Sequence, residues 1–371
     1  MKIGIPTEVK NHEYRVACTP SGVHELVRHG HQVIVEAGAG LGSSIPDSEL
    51  AAAGARMVDD PDEVWGEAEL VLKVKEPVAE EYHRLRKDLV LFTYLHLAAS
   101  RPCTDALLSA GTTAVAYETV QLPDGSLPLL APMSEVAGRM APLAGAHHLQ
   151  RDGGGRGVLM GGVSGVYAAK VVVLGAGVSG MNAAAIALGM QAEVLLLDKN
   201  IAKLRDADRI YQGHLQTVAS NAYEVERAVL DADLVIGAVL VPGAKAPVLV
   251  TDELVARMKP GSVLVDIAID QGGCFESSRP TTHAEPVYPV HESVFYCVAN
   301  MPGAVPHTST YALTNVTLPY ILAIADEGWL GALRSDPGLA VGLNTHDGAV
   351  TYPSVADAHD LASVPLATIL S

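Results

Sequence analysis

Short runs of Val, Ile and Leu recur along the chain, separated by stretches whose apolar residues fall at three- and four-residue spacing. That alternation predicts strand–helix–strand units with the strands covered on both faces, as in an α/β protein built on parallel sheets. Near the N-terminus, KIGIP (2–6) predicts a strand and a loop runs on to Thr19. PSGVHELVRHG (20–30) predicts a helix of apolar period closed by Gly30. HQVIVEAG (31–38) and ARMVD (55–59) read as strands on either side of a short helix at 48–54, and ELVLKVKE (69–76), LVLFTYLH (89–96) and TTAVAYETV (112–120) as further strands. A long helix is predicted over 131–150, starting after Pro132 with Ser134 in its first turn. Beyond the glycine-rich stretch at 153–162, strands at 171–174 and 193–197 flank a helix at 181–190. Strand ends are then expected near 239–240, 267–270 and 298–301, and a helix over 307–329 is expected to break or kink at Pro319. The polar, strand-like tail at 342–359 is expected to return to the first part of the molecule.

One segment carries chemistry in its spacing. Residues 171–180 read VVVLGAGVSG, and the following strand ends on Asp198. Gly175 suits a tight turn, Gly177 lets backbone approach a pyrophosphate, and Gly180 lets the helix pack closely on the strand. The helix N-terminus offers free N–H groups and a positive dipole end to phosphates. Asp198 is placed to accept hydrogen bonds from ribose hydroxyls, and a carboxylate there would repel a 2′-phosphate, favouring NAD over NADP. The same text also suits a structural βαβ unit without ligand, and Lys199 and Lys203 stand near Asp198. A second glycine cluster, EAGAGLGS (36–43), precedes Pro46 and no long apolar helix, so it reads as a turn. Because the nucleotide motif lies mid-chain, the organisation expected is a Rossmann-type doubly wound domain over 130–306 inserted into a discontinuous α/β domain of 1–129 and 307–371. Substrate is then expected in the cleft between the domains.

Composition narrows the classes. Of 371 residues, 49% are hydrophobic and 18% charged, which suits a well-buried globular protein and argues against disorder. A net charge of −17 and the lack of any basic run argue against a nucleic-acid partner. Cys18, Cys103, Cys274 and Cys297 form no C-x-x-C pair and read as buried reduced thiols, pointing to the cytoplasm. No apolar signal core opens the chain. The uncharged stretch 171–192 is long enough to span a bilayer, but its turn-spaced glycines and Asn182 favour a soluble strand and helix, so no membrane partner is expected. The histidines lack metal-ligand spacing and H-E-x-x-H is absent, so no metal is expected.

Polar residues that interrupt apolar strand text are the candidates for catalysis. Arg15 follows NHEY in a loop, Lys75 ends VLKVKEP, and His96 ends LFTYLHL. Arginine grips a carboxylate through paired hydrogen bonds, lysine adds a second cation, and histidine moves protons near neutral pH. Each has a plainer alternative: a solvated strand edge for Lys75 with Lys73, a satisfied core histidine for His96. Asp270 ends VLVDIAID as a possible base, with Gly272 and Gly273 behind it allowing close approach; Asp266 shares its strand parity, so one of the two is expected to be structural.

KIGIPTEVKNHEYRVACTP, KVKEP, TYLHLA, PMSEVAGRM, GVLMGGVSGVYAAKVVVLGAGVSG, DIAIDQGGCFESSRPTTH and VANMPGAVPHTSTYALTN, in this order, resemble bacterial alanine dehydrogenase over nearly the whole chain. The resemblance implies reversible deamination of L-alanine to pyruvate and ammonia with NAD. It implies that Arg15 and Lys75 bind substrate and that His96 and Asp270 are the acid–base groups. It places Ser134, Val178, Ser179, Asp198, Lys203, Ser220, Val239, Leu240, Arg279, the segment Ile267, Ala268, Ile269 and Asp270, and the segment Val298, Ala299, Asn300 and Met301 on NAD, beside the glycines Gly175, Gly177 and Gly180. It also implies a homohexamer. Some relatives hold a metal near residue 325, but Ala323 and Glu327 stand there without a histidine, so that site is not expected here. Three alternatives share parts of this pattern: the NAD-binding subunit of a proton-translocating transhydrogenase, more distantly a lysine-forming saccharopine-type dehydrogenase, and a catalytically silent NAD-binding protein.

Overall fold

The computed structural model describes residues 1–239 and 246–371. The chain divides into two compact units, Met1–Met133 with Val305–Ser371, and Ser134–Ala304.

The first unit opens with β1 (Lys2–Ile5), α1 (Pro20–Arg28), β2 (Gln32–Glu36), α2 (Asp47–Ala52), β3 (Arg56–Val58), α3 (Pro61–Glu67), β4 (Leu70–Leu72), β5 (Val90–Thr93), α4 (Arg101–Ala110) and β6 (Thr113–Ala116). These strands pair in parallel in the order β3-β2-β1-β4-β5-β6. Local chemistry sets the helix ends. Thr19 caps α1 by accepting the Gly22 N–H, Pro20 takes the first position, and the cap residue at the far end is His29, with Gly30 just beyond at φ 87°. β4 stops at Leu72, short of the strand expected over 69–76, and Val74 and Lys75 form a bend beyond it. The helix α3 was not apparent in the sequence pattern; Asp60 caps it and Trp65 is wholly buried on it.

The second unit begins within α5 (Ala131–His148) and builds β7 (Lys170–Leu174), α6 (Val178–Gly189), β8 (Glu193–Asp198), α7 (Ile201–Tyr211), β9 (Gln216–Ala219), α8 (Ala222–Asp231), β10 (Leu234–Gly237), α9 (Asp252–Ala256), β11 (Val263–Asp266), β12 (Val287–Val290) and β13 (Ser293–Tyr296). Among the described residues the sheet order is β12-β13-β11-β10-β7-β8-β9, parallel except for β12 at its edge. Successive residues of β7 enter opposite cores: Val171 and Val173 join one, Val172 and Leu174 the other, which is why the strand is apolar throughout. The uncharged stretch 171–192 is therefore β7 and α6. No helix among the described residues is long and apolar enough to cross a membrane. Strands β10, β11 and β13 end at Gly237, Asp266 and Tyr296, earlier than the apolar text suggested. At Asp266 the cause is visible: its carboxylate accepts the Ala268 N–H at 3.0 Å and turns the chain out of the sheet.

The chain then returns to the first sheet. After α10 (Pro306–Ser335) come β14 (Leu343–His346), antiparallel to β6, and β15 (Ala349–Val350) at the edge. The expected break at Pro319 does not occur; backbone angles leave the helical region at Gly328, with φ 74° and ψ 155°. Proline removes one helical hydrogen bond, whereas this conformation is essentially restricted to glycine. Gly328→Ala is expected to lower unfolding free energy by about 1–3 kcal/mol, read by urea titration; an unchanged midpoint would show that the chain reroutes there freely.

Candidate active site

In the first sheet the strand order reverses between β1 and β4, so the loops leaving these strands part to opposite faces at the carboxyl edge, the usual place for ligands in open α/β sheets. The loop after β1 carries Glu8, Lys10, Glu13 and Arg15. The segment after β4 carries Lys73 and Lys75, the segment after β5 carries Tyr94 and His96, and a 3₁₀ turn after β6 (Tyr117–Thr119) carries Glu118. The sheet thus gathers Arg15, Lys75 and His96 on loops leaving adjacent strands.

Each of these three is held by a carboxylate that the sequence pattern did not single out. Glu13 accepts the Arg15 Nε–H at 2.6 Å and an Nη2–H at 2.5 Å, and also the Arg15 backbone N–H at 3.1 Å, with both side chains buried. One edge of the guanidinium is therefore occupied within the fold, and Nη1 lies 3.0 Å from the Met133 sulfur. Burial alone would raise the Glu13 pKa; the hydrogen bonds and charge of Arg15, helped by Lys75, bring it below the usual value. Glu8 accepts the Val74 N–H at 2.5 Å and the Lys75 N–H at 3.4 Å. Its other oxygen lies 3.1 Å from Nζ of Lys73, which also sits 2.9 Å from Glu81. Lys73 is thus no solvated strand edge but the buried cation of a triad; burial would discharge it, and the two carboxylates more than reverse that. Lys10 pairs with Glu76 nearby.

His96 has left-handed backbone angles, φ 47° and ψ 38°. Its N–H donates to Glu118 Oε1 at 2.6 Å, and the Leu95 N–H donates to both Glu118 oxygens at 3.2 Å. Tyr94 stacks on the imidazole with the rings 5.9 Å apart and 12° from parallel, its own hydroxyl fixed on the Leu129 carbonyl at 2.6 Å. The His96 side chain keeps 38% of its surface exposed. Burial, then the charges of Lys75, Lys10 and Arg15, push its pKa from 6.5 down to about 3. His96 is neutral at physiological pH.

In the second unit the strand order reverses between β7 and β10, and the glycine turn lies at the exit of β7. Gly175 has φ 106°, and a Cβ there would stand 2.6 Å from the Ala238 carbonyl oxygen. A Cβ on Gly180 would stand 1.7 Å from the Gly175 oxygen, so the turn can close only on glycine. Gly177 faces open space and precedes α6, which begins at Val178 and Ser179 with no side-chain cap, leaving its first N–H groups for a ligand. Asp198 ends β8; one oxygen accepts the Ala176 N–H and the other the Asn200 N–H, each at 2.7 Å. Its carboxylate therefore braces the glycine turn from below. This cradle fits a dinucleotide pyrophosphate.

The remaining expected cofactor residues of this unit lie around the same sheet. Lys203 is in the first turn of α7, and the Ser220 N–H donates to the Asp198 carbonyl. Ser134 is near the start of α5, and Val239 follows β10; Leu240 lies outside the described residues. Ile267 and Ala268 follow β11, and Ile269 and Asp270 open a 3₁₀ turn. Asp266 and Asp270 separate clearly. Asp266 is buried and accepts the Cys274 N–H at 2.8 Å and the Ser278 hydroxyl at 2.5 Å, a structural role; Asp270 is exposed. Arg279 covers the Tyr288 ring at 4.1 Å. Val298, Ala299, Asn300 and Met301 follow β13, with Asn300 at φ 63°. All four cysteines are buried and free, and no cluster of metal ligands occurs among the described residues.

Two family models cover this chain: the alanine dehydrogenase/PNT N-terminal domain matches residues 4–137 and the C-terminal domain residues 141–353. The chain belongs to the alanine dehydrogenase/PNT family. It is 63% identical over 371 residues to an alanine dehydrogenase of Mycolicibacterium smegmatis, covering 100% of both chains. A solved L-alanine dehydrogenase superimposes with a TM-score of 0.94 at 50% identity, with 98% of this chain and 100% of that one covered. A transhydrogenase structure from Sinorhizobium meliloti matches with a TM-score of 0.79 at 29% identity, over 95% of this chain and 100% of that one.

The low pKa of His96 has a consequence for stability. Between pH 6.5 and about 3 the unfolded chain takes up a proton that the folded imidazole refuses, so this residue erodes stability as pH falls through that window and has no effect above it. His96→Gln is expected to flatten the acid limb of stability against pH in urea titrations; an unaltered limb would mean that the folded imidazole protonates normally.

Proposed function

We propose that this protein catalyses the NAD-dependent oxidative deamination of L-alanine to pyruvate and ammonia, and the reverse reductive amination. The observation that carries the reading is the grouping of Arg15, Lys75 and His96 on loops leaving adjacent strands of the first sheet, in a member of this family whose second sheet bears the dinucleotide turn. The greater identity to alanine dehydrogenases than to the transhydrogenase favours the amino-acid enzyme over the hydride-passing subunit.

The chain's own groups supply the following roles. Lys75 and the Arg15 guanidinium hold the substrate carboxylate and orient Cα. The α6 N-terminus, with Ser134 and Ser179, takes the pyrophosphate, and Asp198 takes the adenosine ribose and disfavours a 2′-phosphate. Lys203, Ser220, Val239, Arg279, 267–270 and 298–301 line the rest of the NAD site. When bound, NAD would supply the acceptor for the Cα hydride, which leaves only after the substrate ammonium has lost a proton. The substrate is left as an iminium; water adds to it, neutral His96 accepts the water proton, and Asp270 serves the departing amine as second acid–base group. The substrate carboxylate also brings a negative charge beside Arg15 and Lys75. That opposes two of the three cations that, after burial, depress the His96 pKa. The division of labour that goes with this reading is a substrate domain of 1–129 and 307–371 and an NAD domain of 130–306. The protein works in the cytoplasm as a homo-oligomer, the hexamer being the state the resemblance implies.

Purified protein given L-alanine and NAD alone is expected to form NADH, which neither a transhydrogenase subunit nor a silent binding protein would do. His96→Ala is expected to reduce turnover by about 10²–10⁴-fold while leaving NAD binding intact; near-normal turnover would remove His96 from acid–base chemistry. Asp198→Ala is expected to lower the ratio of kcat/KM for NAD over NADP, and an unchanged ratio would take Asp198 out of cofactor choice.

A further inference from the structure

We propose that Glu118 is the positioning residue for His96: its carboxylate fixes the left-handed backbone of His96 and favours the imidazole tautomer with the proton on Nδ1, leaving Nε2 as the basic nitrogen. Three observations converge on this. The first is backbone geometry. A non-glycine residue at φ 47° is held there by its surroundings. Here the restraint is the pair of consecutive N–H groups of Leu95 and His96, both donating to Glu118. The second is direction. Glu118 Oε1 stands 4.0 Å from His96 Nδ1, beyond hydrogen-bond length but close enough to bias the proton towards that nitrogen. The third is topology. Glu118 leaves β6 next to the exit of β5, so the pairing of these two strands sets the carboxylate beside the histidine without any flexible linker.

The charged and aromatic groups facing His96 on the first unit include Lys10, Arg15 and Lys75 as cations, Tyr94 stacked on the ring, and Glu118 as the anion. Burial raises the Glu118 pKa, and the N–H groups of His96 and Leu95 with the charge of Lys75 act against that rise. Nitrogen selection matters because a neutral imidazole has one acceptor. With Nδ1 protonated, the acceptor is Nε2, at the far side of the ring from Glu118; with the other tautomer the imidazole would present a donor there and could not take a proton from water.

The proposal rests on the amino-acid dehydrogenase reading, and the experiment separates the two. Protein labelled with ¹⁵N-histidine is compared by NMR with its Glu118→Gln variant, without substrate, and both are assayed with L-alanine and NAD. Wild-type His96 is expected as the neutral Nδ1–H tautomer. In Glu118→Gln the tautomers are expected to mix, with kcat lower by at least about tenfold and KM for L-alanine within about twofold, because Arg15 and Lys75 keep their own partners. A wild-type His96 protonated on Nε2 overturns the proposal whatever the variant does, as does a variant that keeps wild-type kcat. A wild-type protein that fails to oxidise alanine would refute the function while the NMR result still decides the role of Glu118.

Discussion

Everything in the first unit's candidate site depends on a single constraint: several cations must be kept charged in a largely buried sheet edge. Removing a charge from water costs several kcal/mol, and an uncompensated buried cation would shed its proton or unfold the edge. Carboxylates from the same set of loops answer this. Glu13 sits on Arg15, Glu8 and Glu81 sit on Lys73, and Glu76 pairs with Lys10. The carboxylates also bind backbone N–H groups, at Arg15, at Val74 and Lys75, and at Leu95 and His96. Charge compensation and loop geometry are therefore one device. Changing a cation in this set alters the shape of the loop as well as the field.

Both sheets use the same strand order about their first parallel strand, β3-β2-β1-β4-β5-β6 in one and β9-β8-β7-β10-β11-β13 in the other. Each reversal opens the carboxyl edge, but the two are furnished differently. In the second unit the loop after β7 is glycine, and ligand contacts are left to backbone N–H groups at the start of α6. In the first, the loop after β1 is long and charged, and its glutamates occupy the space and the hydrogen bonds that glycine leaves open. The same topology thus yields a glycine turn with uncapped N–H groups on one sheet and a charged, carboxylate-braced edge on the other.

The sequence pattern showed some of this and hid the rest, for identifiable reasons. The α/β class and the glycine turn were legible because strands buried on both faces are continuous apolar runs, and because a turn that admits no Cβ at 180 must carry glycine. Arg15, Lys75 and His96 stood out because each interrupts or ends apolar text. Glu8, Glu13 and Glu118 did not, since a glutamate in a loop looks the same whether solvated or buried against a backbone N–H. The helix break at Gly328 was misread as Pro319 because proline signals a missing hydrogen bond, whereas the actual break is a backbone angle that only the fold demands. β9 and the antiparallel edge strand β12 were overlooked for a related reason: edge strands are half-exposed and lose the apolar signature. Asp266 and Asp270 share parity and chemistry on paper. Only the donors converging on Asp266 from Ala268, Cys274 and Ser278 separate a structural carboxylate from an exposed one.

The charge balance of the site also bears on what kind of molecule suits it. The chain as a whole carries −17, so its long-range field does not draw an anion in. On the loops leaving β1, β4, β5 and β6 the cations Lys10, Arg15, Lys73 and Lys75 are set against Glu8, Glu13, Glu76, Glu81 and Glu118, close to neutrality. A zwitterion crosses such a field without net penalty and then finds local charge separation. On the proposed reading its carboxylate would meet Lys75 and Arg15, where burial makes each contact stronger than in water. A dianion of similar size would gain at the cations but suffer at the five carboxylates. On electrostatics alone the first unit therefore favours an amino acid or a singly charged keto acid over more highly charged metabolites. That preference arises from the same glutamates that hold the loops in place.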